Sequence, residues 1–288
     1  TVDLNGSVWN TNRAGNSVVH IGLAENGQCT DRNSNGVIDT STGLGDIRPW
    51  TNAGGADTNG GVSTAADECI LHYTRVNSSG TRHVSVTKEN DIWVSGTGGQ
   101  NFDLIDGKTG KIKRSESSVG YGGYGGLIDK DGVIWSARPL LRWDTRFPLN
   151  GPNGGNWRGF NHDSYGLCID SKGNVWETAL SGNVLRKWAP DGTLLGSFNH
   201  GNYYAQGCAV DASGDVWVAH SILGPQSSVG HVKNDGRHVG NVSVGSGPTG
   251  LTLCKNKGMT KEILAYHRIR FPAYAIFPPG STVRRPKR

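Results

Sequence analysis

The sequence of 288 residues is poor in charged side chains (18%), holds a single methionine, and lacks any apolar run of about 20 residues, the length that a membrane-spanning helix needs. No transmembrane segment is therefore predicted. Residues 1–254 also lack an amphipathic helical pattern. Glycine is abundant instead, with 44 residues, which is typical of a turn-rich all-β protein. No signal peptide is visible, and we expect a mature or partial chain.

The net charge of +5 is concentrated in one segment. Residues 255–288 carry nine Lys and Arg against one Glu, whereas residues 1–254 carry 20 basic and 23 acidic residues. A nucleic-acid partner is not predicted, because the main part of the chain offers no basic face with interleaved aromatics. Three interpretations fit the basic tail: a divergent closing segment, an unrelated and disordered linker, or a reading-frame artefact.

A tryptophan recurs at a nearly constant interval. Trp135, Trp176 and Trp217 are 41 residues apart, Trp93 lies 42 residues before Trp135, and Trp9 lies 84 residues before Trp93. Short runs with alternating apolar residues accompany each Trp and end at Gly, Asn or Asp. A period near 41 with four strand-like runs per unit is typical of a β-propeller blade.

The predicted fold class is all-β, a β-propeller of four-stranded blades. Five blades are visible, and GSGPTGLTL at 245–253 opens a sixth, so that six or seven blades complete the ring. The propeller spans 1–254, with an insertion at 29–72 inside the first blade, and the later blades span 81–119, 120–160, 161–200 and 201–245. A β-sandwich or a β-solenoid with accidental spacing is the alternative.

The insertion contains the pattern CTDRNSNGVIDTSTG, which matches most of an EF-hand-type calcium loop. Oxygen ligands at alternating positions, a glycine at the sharp turn and a backbone carbonyl after it suit Ca²⁺. The predicted ligands are Asp31, Asn33, Asn35, the Val37 carbonyl and Asp39, with Asp67 and Glu68 (or Asp46) replacing the final Glu, a position that Thr42 holds. The loop also resembles thrombospondin type 3 repeats. The alternative is a surface turn rich in Asx residues.

Cys29 and Cys69 bracket this loop, and a disulfide between them would return the nearby carboxylates to it. The disulfide and an extracellular, periplasmic or cell-surface location are both hypotheses. Cys168 and Cys208 lie in the inner strands of successive blades, where we expect buried free thiols. Cys254 makes the count odd.

In a propeller, the loops that enter the inner strands and the loops that follow the Trp strands share one face around the central channel, which we call the channel face. Its predicted ligand-binding residues are Tyr124, Arg138, His162, Tyr165, His200, Tyr204, Gln206 and His220, with Tyr121, Asp163, Asn202 and Tyr203 nearby. Aromatic, amide and His side chains around a concave centre suit a polar ligand such as a sugar or peptide. A metal held by three His, or ordinary loop packing, are the alternatives. His20 and His231 lie within strands and are expected to be structural.

The segments PTGL, YGLCIDSKGNVW and VGHVKNDG, within residues 81–253, resemble the streptogramin B lyase (virginiamycin B lyase) type of propeller and its NHL-repeat relatives. This resemblance implies a lyase that opens a cyclic depsipeptide at its ester by elimination, with bound Mg²⁺. It also implies a catalytic His just before the inner-strand Gly and a Glu three residues after the Trp.

These two positions do not carry the implied pair in the visible blades. The His positions hold Tyr124, Tyr165, Gln206 and Thr249, and the Glu positions hold Gly96, Arg138, Ala179 and His220. Glu177 follows its Trp directly, and strand alternation directs it to the other side. In the family the pair belongs to late blades, so no catalytic residue is assigned here.

Two function classes remain. The first is a calcium-stabilised extracellular or cell-surface propeller that binds a polysaccharide, peptide or protein, or serves as a structural module. The second is a streptogramin B lyase-like carbon–oxygen lyase, with Mg²⁺, whose catalytic blade is missing or altered. The first is favoured because fold does not determine function and the implied catalytic positions fail.

Overall fold

Nineteen β-strands in five successive antiparallel sheets make up the described part of the structure, a computed structural model that describes residues 1–40, 67–150, 156–221 and 227–243. Among these residues the one helical element is a 3₁₀ turn at Ala24–Asn26. No helix of this part of the chain is long and apolar enough to cross a membrane.

Each sheet is a meander, with its strands side by side in sequence order. The first has three strands, β1 (Val8–Asn12), β2 (Ser17–Ile21) and β3 (Ile70–Arg75), extended by a bridge from Val2 to Val8. The second has β4 (Ser79–Val86), β5 (Ile92–Gly98), β6 (Phe102–Ile105) and β7 (Ile112–Glu116). The third has β8 (Gly126–Ile128), β9 (Val133–Ser136), β10 (Leu140–Asp144) and β11 (Trp157–Phe160). The fourth has β12 (Leu167–Ile169), β13 (Val175–Thr178), β14 (Val184–Trp188) and β15 (Leu194–Asn199). The fifth has β16 (Ala205–Val210), β17 (Val216–His220), β18 (Ser228–Val232) and β19 (His238–Ser243).

The sheets correspond to the five predicted blades, and the predicted propeller of four-stranded blades is confirmed. The inner strands β4, β8, β12 and β16 follow one another around the centre. The last strand of the first blade, β3, begins at Ile70, so the end of the predicted insertion already belongs to a strand. The start of the predicted sixth blade and the basic tail lie outside the described residues.

The hydrophobic core lies between neighbouring blades. The repeating Trp side chains at 9, 93, 135 and 176 are at most 1% exposed. Each clusters with the second strand of the next blade: Trp9 with Ile92 and Val94, Trp93 with Ile134, Trp135 with Val175, and Trp176 with Val216 and Val218. Because large aromatic side chains dominate the energetics of such contacts, one Trp per repeat is enough to join the sheets.

An Asp six residues before the Trp forms the turn between the first two strands of a blade. Asp170 Oδ1 accepts the backbone N–H groups of Lys172 and Asn174 at 3.0 and 2.9 Å. Its Oδ2 accepts the indole N–H of Trp176 at 3.3 Å. Equivalent bonds are made by Asp3 with Trp9 and by Asp211 with Trp217. The Asp of the repeat is therefore a structural residue that couples the turn to the core.

The expectation of free thiols at Cys168 and Cys208 is wrong, because the two residues form a disulfide. Their Cα atoms are 5.6 Å apart, within the range that a disulfide spans. Cys168 lies opposite Trp176 in the fourth blade, and Cys208 occupies the inner strand of the fifth. The bond therefore joins two neighbouring inner strands.

Candidate functional site

Four equivalent positions mark the centre of the channel face. Arg82, Tyr124, Tyr165 and Gln206 each lie 11 residues before the Trp of their blade. Arg82 and Gln206 are the extra residues where the register shifts in β4 and β16. A β-bulge of this kind redirects a side chain out of the regular alternation. Sequence reasoning missed Arg82, although its distance from Trp93 was a sufficient signal.

Three of these four side chains form one cluster together with Arg138. The hydroxyl of Tyr124 donates a hydrogen bond to the hydroxyl of Tyr165, and the two ring centres are 4.6 Å apart. The Arg82 guanidinium carbon lies 4.2 Å from the centre of the Tyr124 ring. The Arg138 guanidinium carbon lies 4.9 Å from the Tyr124 ring and 5.2 Å from the Tyr165 ring. Arg138 belongs to the β9–β10 connection, so the cluster joins parts of three blades.

The backbone holds the cluster in place. Tyr165 N–H donates to the Thr178 carbonyl at 2.8 Å. Arg138 N–H donates to the hydroxyl of the buried Ser164 at 3.0 Å, and its carbonyl accepts from the Gln100 amide at 3.2 Å. Arg138 has a positive φ of 66°, which is uncommon outside glycine. Its position is thus fixed by neighbours on both sides while its guanidinium is exposed.

The cluster carries two positive charges, those of Arg82 and Arg138. Neither Arg82 nor Arg138 has a carboxylate within 4 Å among the described residues. Burial raises the pKa of the Tyr165 hydroxyl, the bond from Tyr124 raises it further, and the two Arg charges oppose this. Both effects of burial and hydrogen bonding favour the neutral phenol, which acts as a donor and acceptor at neutral pH.

The three His residues predicted for the channel face take part in buried networks. His200 is fully buried, and its Nδ1 lies 2.8 Å from Nε2 of His220, whose Nδ1 lies 3.0 Å from the Ser228 hydroxyl. Burial lowers the pKa of His200 to about 4 and also lowers the pKa of His220. These two rings are therefore neutral, packed groups near neutral pH.

His162 pairs with Glu177 between the third and fourth blades. His162 Nε2 lies 2.8 Å from Oε1 of Glu177, whose side chain is fully buried. Trp188 Nε1 donates to Oε2 of Glu177 at 2.9 Å, and the His162 ring stacks on Trp188. Glu177 thus links the β11–β12 connection to the fourth blade, and this role was not predicted because the sequence does not show which side chain reaches the neighbouring blade.

The other predicted residues of the face lie around the cluster. Tyr204 is 53% exposed and Gln206 is also exposed. Tyr204 N–H donates to the Leu180 carbonyl at 3.1 Å, two residues after Thr178, which holds Tyr165. Tyr203 beside it is 55% exposed. Tyr204 and the cluster are therefore held by neighbouring residues at the end of β13, Leu180 and Thr178.

The side chains predicted to bind calcium converge in a folded loop. Asp31 Oδ2 accepts the Gly36 N–H at 2.8 Å. The amides of Asn33 and Asn35 donate to the two oxygens of Asp39 at 3.2 and 2.8 Å. Gly36 has a φ of 85°, which permits the turn. The loop is thus ordered around its own polar side chains.

Glu68 is the buried centre of this insertion. Its Oε2 accepts the N–H groups of Asp39 and Thr40 at 2.9 and 3.3 Å, and its Oε1 accepts the Arg32 N–H at 3.3 Å. Asp67 Oδ1 accepts the Cys69 N–H at 3.0 Å. The predicted Cys29–Cys69 disulfide is present, with Cα atoms 4.4 Å apart, and returns both acidic residues to the loop.

A different group in the described residues has the composition of a metal site. Oxygen and nitrogen atoms of Asp211, Asp215 and His231 lie within 4.8 Å of one another. Asp215 already binds His231 Nε2 at 2.9 Å and Lys233 Nζ at 2.6 Å. Asp211 is the turn residue of its blade and binds Trp217. These contacts satisfy the group without an ion.

Two further features proved unsuited to a site. His20 lies in β2 as expected, where it stacks on Trp9 with ring centres 4.0 Å apart and contacts Ser7 and His72.

A cleft of about 460 Å³ opens on the opposite face, near the turns before the Trp strands. Its acidic and basic side chains pair with each other, as Asp131 does with Lys130.

Comparison with solved structures shows the fold. The chain is similar to selenomethionine-substituted virginiamycin B lyase from Staphylococcus aureus, with a TM-score of 0.56, 14% identity, and coverage of 86% of this chain and 70% of that one. A catalytically inactive variant of that enzyme with quinupristin gives a TM-score of 0.54, 15% identity, and coverage of 84% and 68%. No protein-family model and no curated protein matches the sequence. The predicted resemblance is confirmed at the level of the propeller fold.

Proposed function

We propose that the protein is an extracellular or cell-surface β-propeller that binds a polar ligand, a glycan or a peptide, on its channel face. The observation that carries the proposal is the cluster of Arg82, Tyr124, Arg138 and Tyr165. Phenol hydroxyls and guanidinium groups are donors that fix the orientation of a polar ligand, and aromatic rings supply apolar contact area. Tyr124 and Tyr165 occupy positions where the resemblance to the lyase implied His, and Arg138 occupies one where it implied Glu. The location of the proposed site is therefore the same, and its chemistry differs.

A binding screen tests this proposal. The purified protein is applied to glycan and peptide arrays, and the affinity for each bound ligand is then measured by titration calorimetry. Tyr165→Phe, which removes one hydroxyl, is expected to weaken binding about tenfold, the typical effect of one ligand hydrogen bond. Arg237→Gln is the control, because Arg237 is exposed in the β18–β19 turn on the opposite face. Uniform absence of binding would leave a purely structural role.

We further propose that Ca²⁺ stabilises the insertion loop. The support is the convergence of Asp31, Asn33, Asn35 and Asp39, since carboxylate and amide oxygens at these spacings are Ca²⁺ ligands. Rotation of the two Asn amides would turn their oxygens toward Asp39, an arrangement that is favourable with a cation between them. Asp67, Glu68 and the Val37 carbonyl complete the proposed set, and Glu68 would have to give up backbone hydrogen bonds to join it.

Thermal unfolding with Ca²⁺ and with a chelator tests the calcium proposal. Ca²⁺ is expected to raise the melting temperature of the wild type but not of Asp31→Ala, because only binding to the folded state stabilises it. Asp235→Ala is the matched control, since Asp235 also accepts a backbone N–H in an exposed turn. An identical melting temperature with and without the chelator would contradict the proposal.

The two disulfides support the proposed oxidising location, since such bonds persist in secreted and periplasmic proteins. Mass spectrometry of the protein from its native source, alkylated without reduction, is expected to show four protected cysteines. Free thiols at these four positions would argue for a reducing compartment.

The second candidate function is a carbon–oxygen lyase that uses Mg²⁺, and it is supported by the shared fold with virginiamycin B lyase. In the described blades the implied His positions hold Tyr124, Tyr165 and Gln206. Incubation with quinupristin or a uronic-acid polysaccharide, with and without Mg²⁺, tests for an unsaturated product. Turnover would replace the binding proposal by an enzymatic one.

A further inference from the structure

We infer that the ligand of the channel face is anionic and, more specifically, that it is an acidic glycan whose uronate carboxylates bind the guanidinium groups of Arg82 and Arg138. This inference rests on the proposed function and names the class of ligand. Arg82 and Arg138 place two positive charges on the same aromatic ring, and neither has a carboxylate partner among the described residues.

Two guanidinium groups without a carboxylate partner among the described residues meet at one aromatic ring. Arg114, Arg146 and Arg186, by contrast, lie within 4 Å of a carboxylate. The guanidinium groups of Arg82 and Arg138 donate no hydrogen bond to any residue in the described ranges, and both lie over the Tyr124 ring. The two guanidinium carbons lie 4.2 and 4.9 Å from the centre of the same ring, so the two like charges repel across a distance comparable to the screening length of about 8 Å at physiological ionic strength. A bound anion offsets that repulsion.

The geometry favours a planar anion. Each guanidinium is placed over an aromatic ring, which restricts its motion without using its N–H donors. A guanidinium presents these donors as a flat fork that matches the two oxygens of a carboxylate. The Tyr124 and Tyr165 hydroxyls belong to the same cluster and are further donors or acceptors. Because the guanidinium groups are already restricted, they lose less conformational entropy when the ligand binds.

The surroundings favour a sugar over a peptide. Tyr203 and Tyr204 are exposed aromatic side chains of the β15–β16 connection, and the Tyr204 N–H donates to the carbonyl of Leu180, two residues after Thr178, which binds the Tyr165 N–H. Exposed aromatic rings on the same face as a carboxylate site match a pyranose ring that bears a carboxyl group, because the sugar ring stacks while the carboxylate pairs.

Titration calorimetry with matched oligosaccharides tests the inference. The probes are a galacturonate oligomer, the same oligomer after reduction of its carboxyl groups to alcohols, an acidic peptide, and inorganic sulfate and phosphate. The wild type is expected to bind the galacturonate oligomer at least tenfold more tightly than the reduced oligomer, and to lose affinity as salt rises. Arg82→Gln and Arg138→Gln are each expected to weaken this binding about tenfold to a hundredfold, the usual effect of losing a charge-assisted hydrogen bond.

Two further variants make the result interpretable. Arg82→Lys keeps the charge but loses the fork, and an intermediate affinity is expected. Arg237→Gln removes a charge from the opposite face and is expected to change nothing. Thermal melting of every variant identifies any that does not fold, in which case Arg82→Lys provides the test for that position.

The outcomes separate the inference from the function on which it rests. Equal binding of the reduced and the charged oligomer, or full affinity in both Gln variants, would overturn the acidic glycan and leave a polar-ligand site intact. Tighter binding of the acidic peptide, sulfate or phosphate than of the uronate would also overturn the assignment to a glycan. Failure of all probes and of the array screen would overturn both.

Discussion

The buried His83 predicts that stability falls between pH 7 and pH 5. His83 lies in β4 with no exposed surface, and its two ring nitrogens contact the hydroxyls of Ser136 at 3.1 Å and Ser85 at 2.9 Å. Burial lowers the pKa of His83 to about 4, and a backbone hydrogen bond opposes this shift only in part. In the unfolded chain the pKa is 6.5, so between these values the unfolded state binds the proton and the folded state does not.

The sign and size follow from this difference. Above pH 6.5 the burial of neutral His83 does not lower the free energy of unfolding. As the pH falls from 6.5 toward about 4, the free energy of unfolding decreases progressively through this residue. Between pH 7 and pH 5 the free energy of unfolding is expected to fall by about 2 kcal/mol through this residue alone. His20 and His200, whose pKa values are also lowered to about 4, add to the loss in the same direction.

Urea unfolding, followed by tryptophan fluorescence at both pH values, measures the loss. His83→Gln keeps a polar group near the Nε2 position, which contacts Ser85, and cannot titrate, so its free energy of unfolding is expected to fall about 2 kcal/mol less than that of the wild type over this range. Ser85→Ala is the control, since it removes one hydrogen bond but keeps the titrating group and its slope. Equal losses in the wild type and His83→Gln, or an NMR titration of His83 with a midpoint near 6.5, would refute the reasoning.

Three further predictions concern stability. Replacing Cys29 and Cys69 by Ser is expected to lower the free energy of unfolding by about 4 kcal/mol, because the bond closes a loop with a sequence separation of 40; a loss below about 1 kcal/mol in denaturant titration would contradict this. Gly166→Ala is expected to lower the free energy of unfolding by about 1–3 kcal/mol, because a Cβ there would overlap the Gly207 backbone. Gly207→Ala is the tolerated control in thermal melting, because its Cβ would meet nothing within 4 Å. Glu177→Gln is expected to cost about 3 kcal/mol, because it removes the charge of a fully buried carboxylate that contacts His162 and accepts the Trp188 indole N–H. A melting temperature equal to that of the wild type would show that the carboxylate charge is dispensable.

The fold was predictable because the residues that form each blade recur at fixed positions within every repeat. The blade Trp recurs every 41 or 42 residues from Trp93 onward, and the Asp six residues earlier binds turn N–H groups in the same blade. Each repeat therefore carries its own strand and turn signals. The contacts between blades are harder to predict, because the sequence separation of 40 between Cys168 and Cys208 is close to one repeat but does not show which side chains contact each other between the blades.

The candidate site was predictable in place and only partly in composition. Tyr124, Arg138 and Tyr165 follow from the blade phase, and the structure brings them together. Arg82 escaped notice because it lies within a long strand run, where a bulge redirects it. His162 and His200 share the phase of the face but turn into networks between strands, and the sequence carries no signal for that choice.

Different positions of the repeat determine the fold of the blade and the side chains of the candidate site. The position six residues before the Trp is Asp in four of the five blades, because it must accept turn N–H groups wherever a blade forms. The position 11 residues before the Trp holds Arg82, Tyr124, Tyr165 and Gln206 in turn. It lies at a register shift in β4 and β16 and before the first residue of β8 and β12, so its side chain is outside the regular strand pairing. A substitution at this second position changes the chemistry of the channel face at little cost to the blade. The shared fold with virginiamycin B lyase is therefore compatible with a different ligand, and the pair of unpartnered arginines is the feature that argues for one.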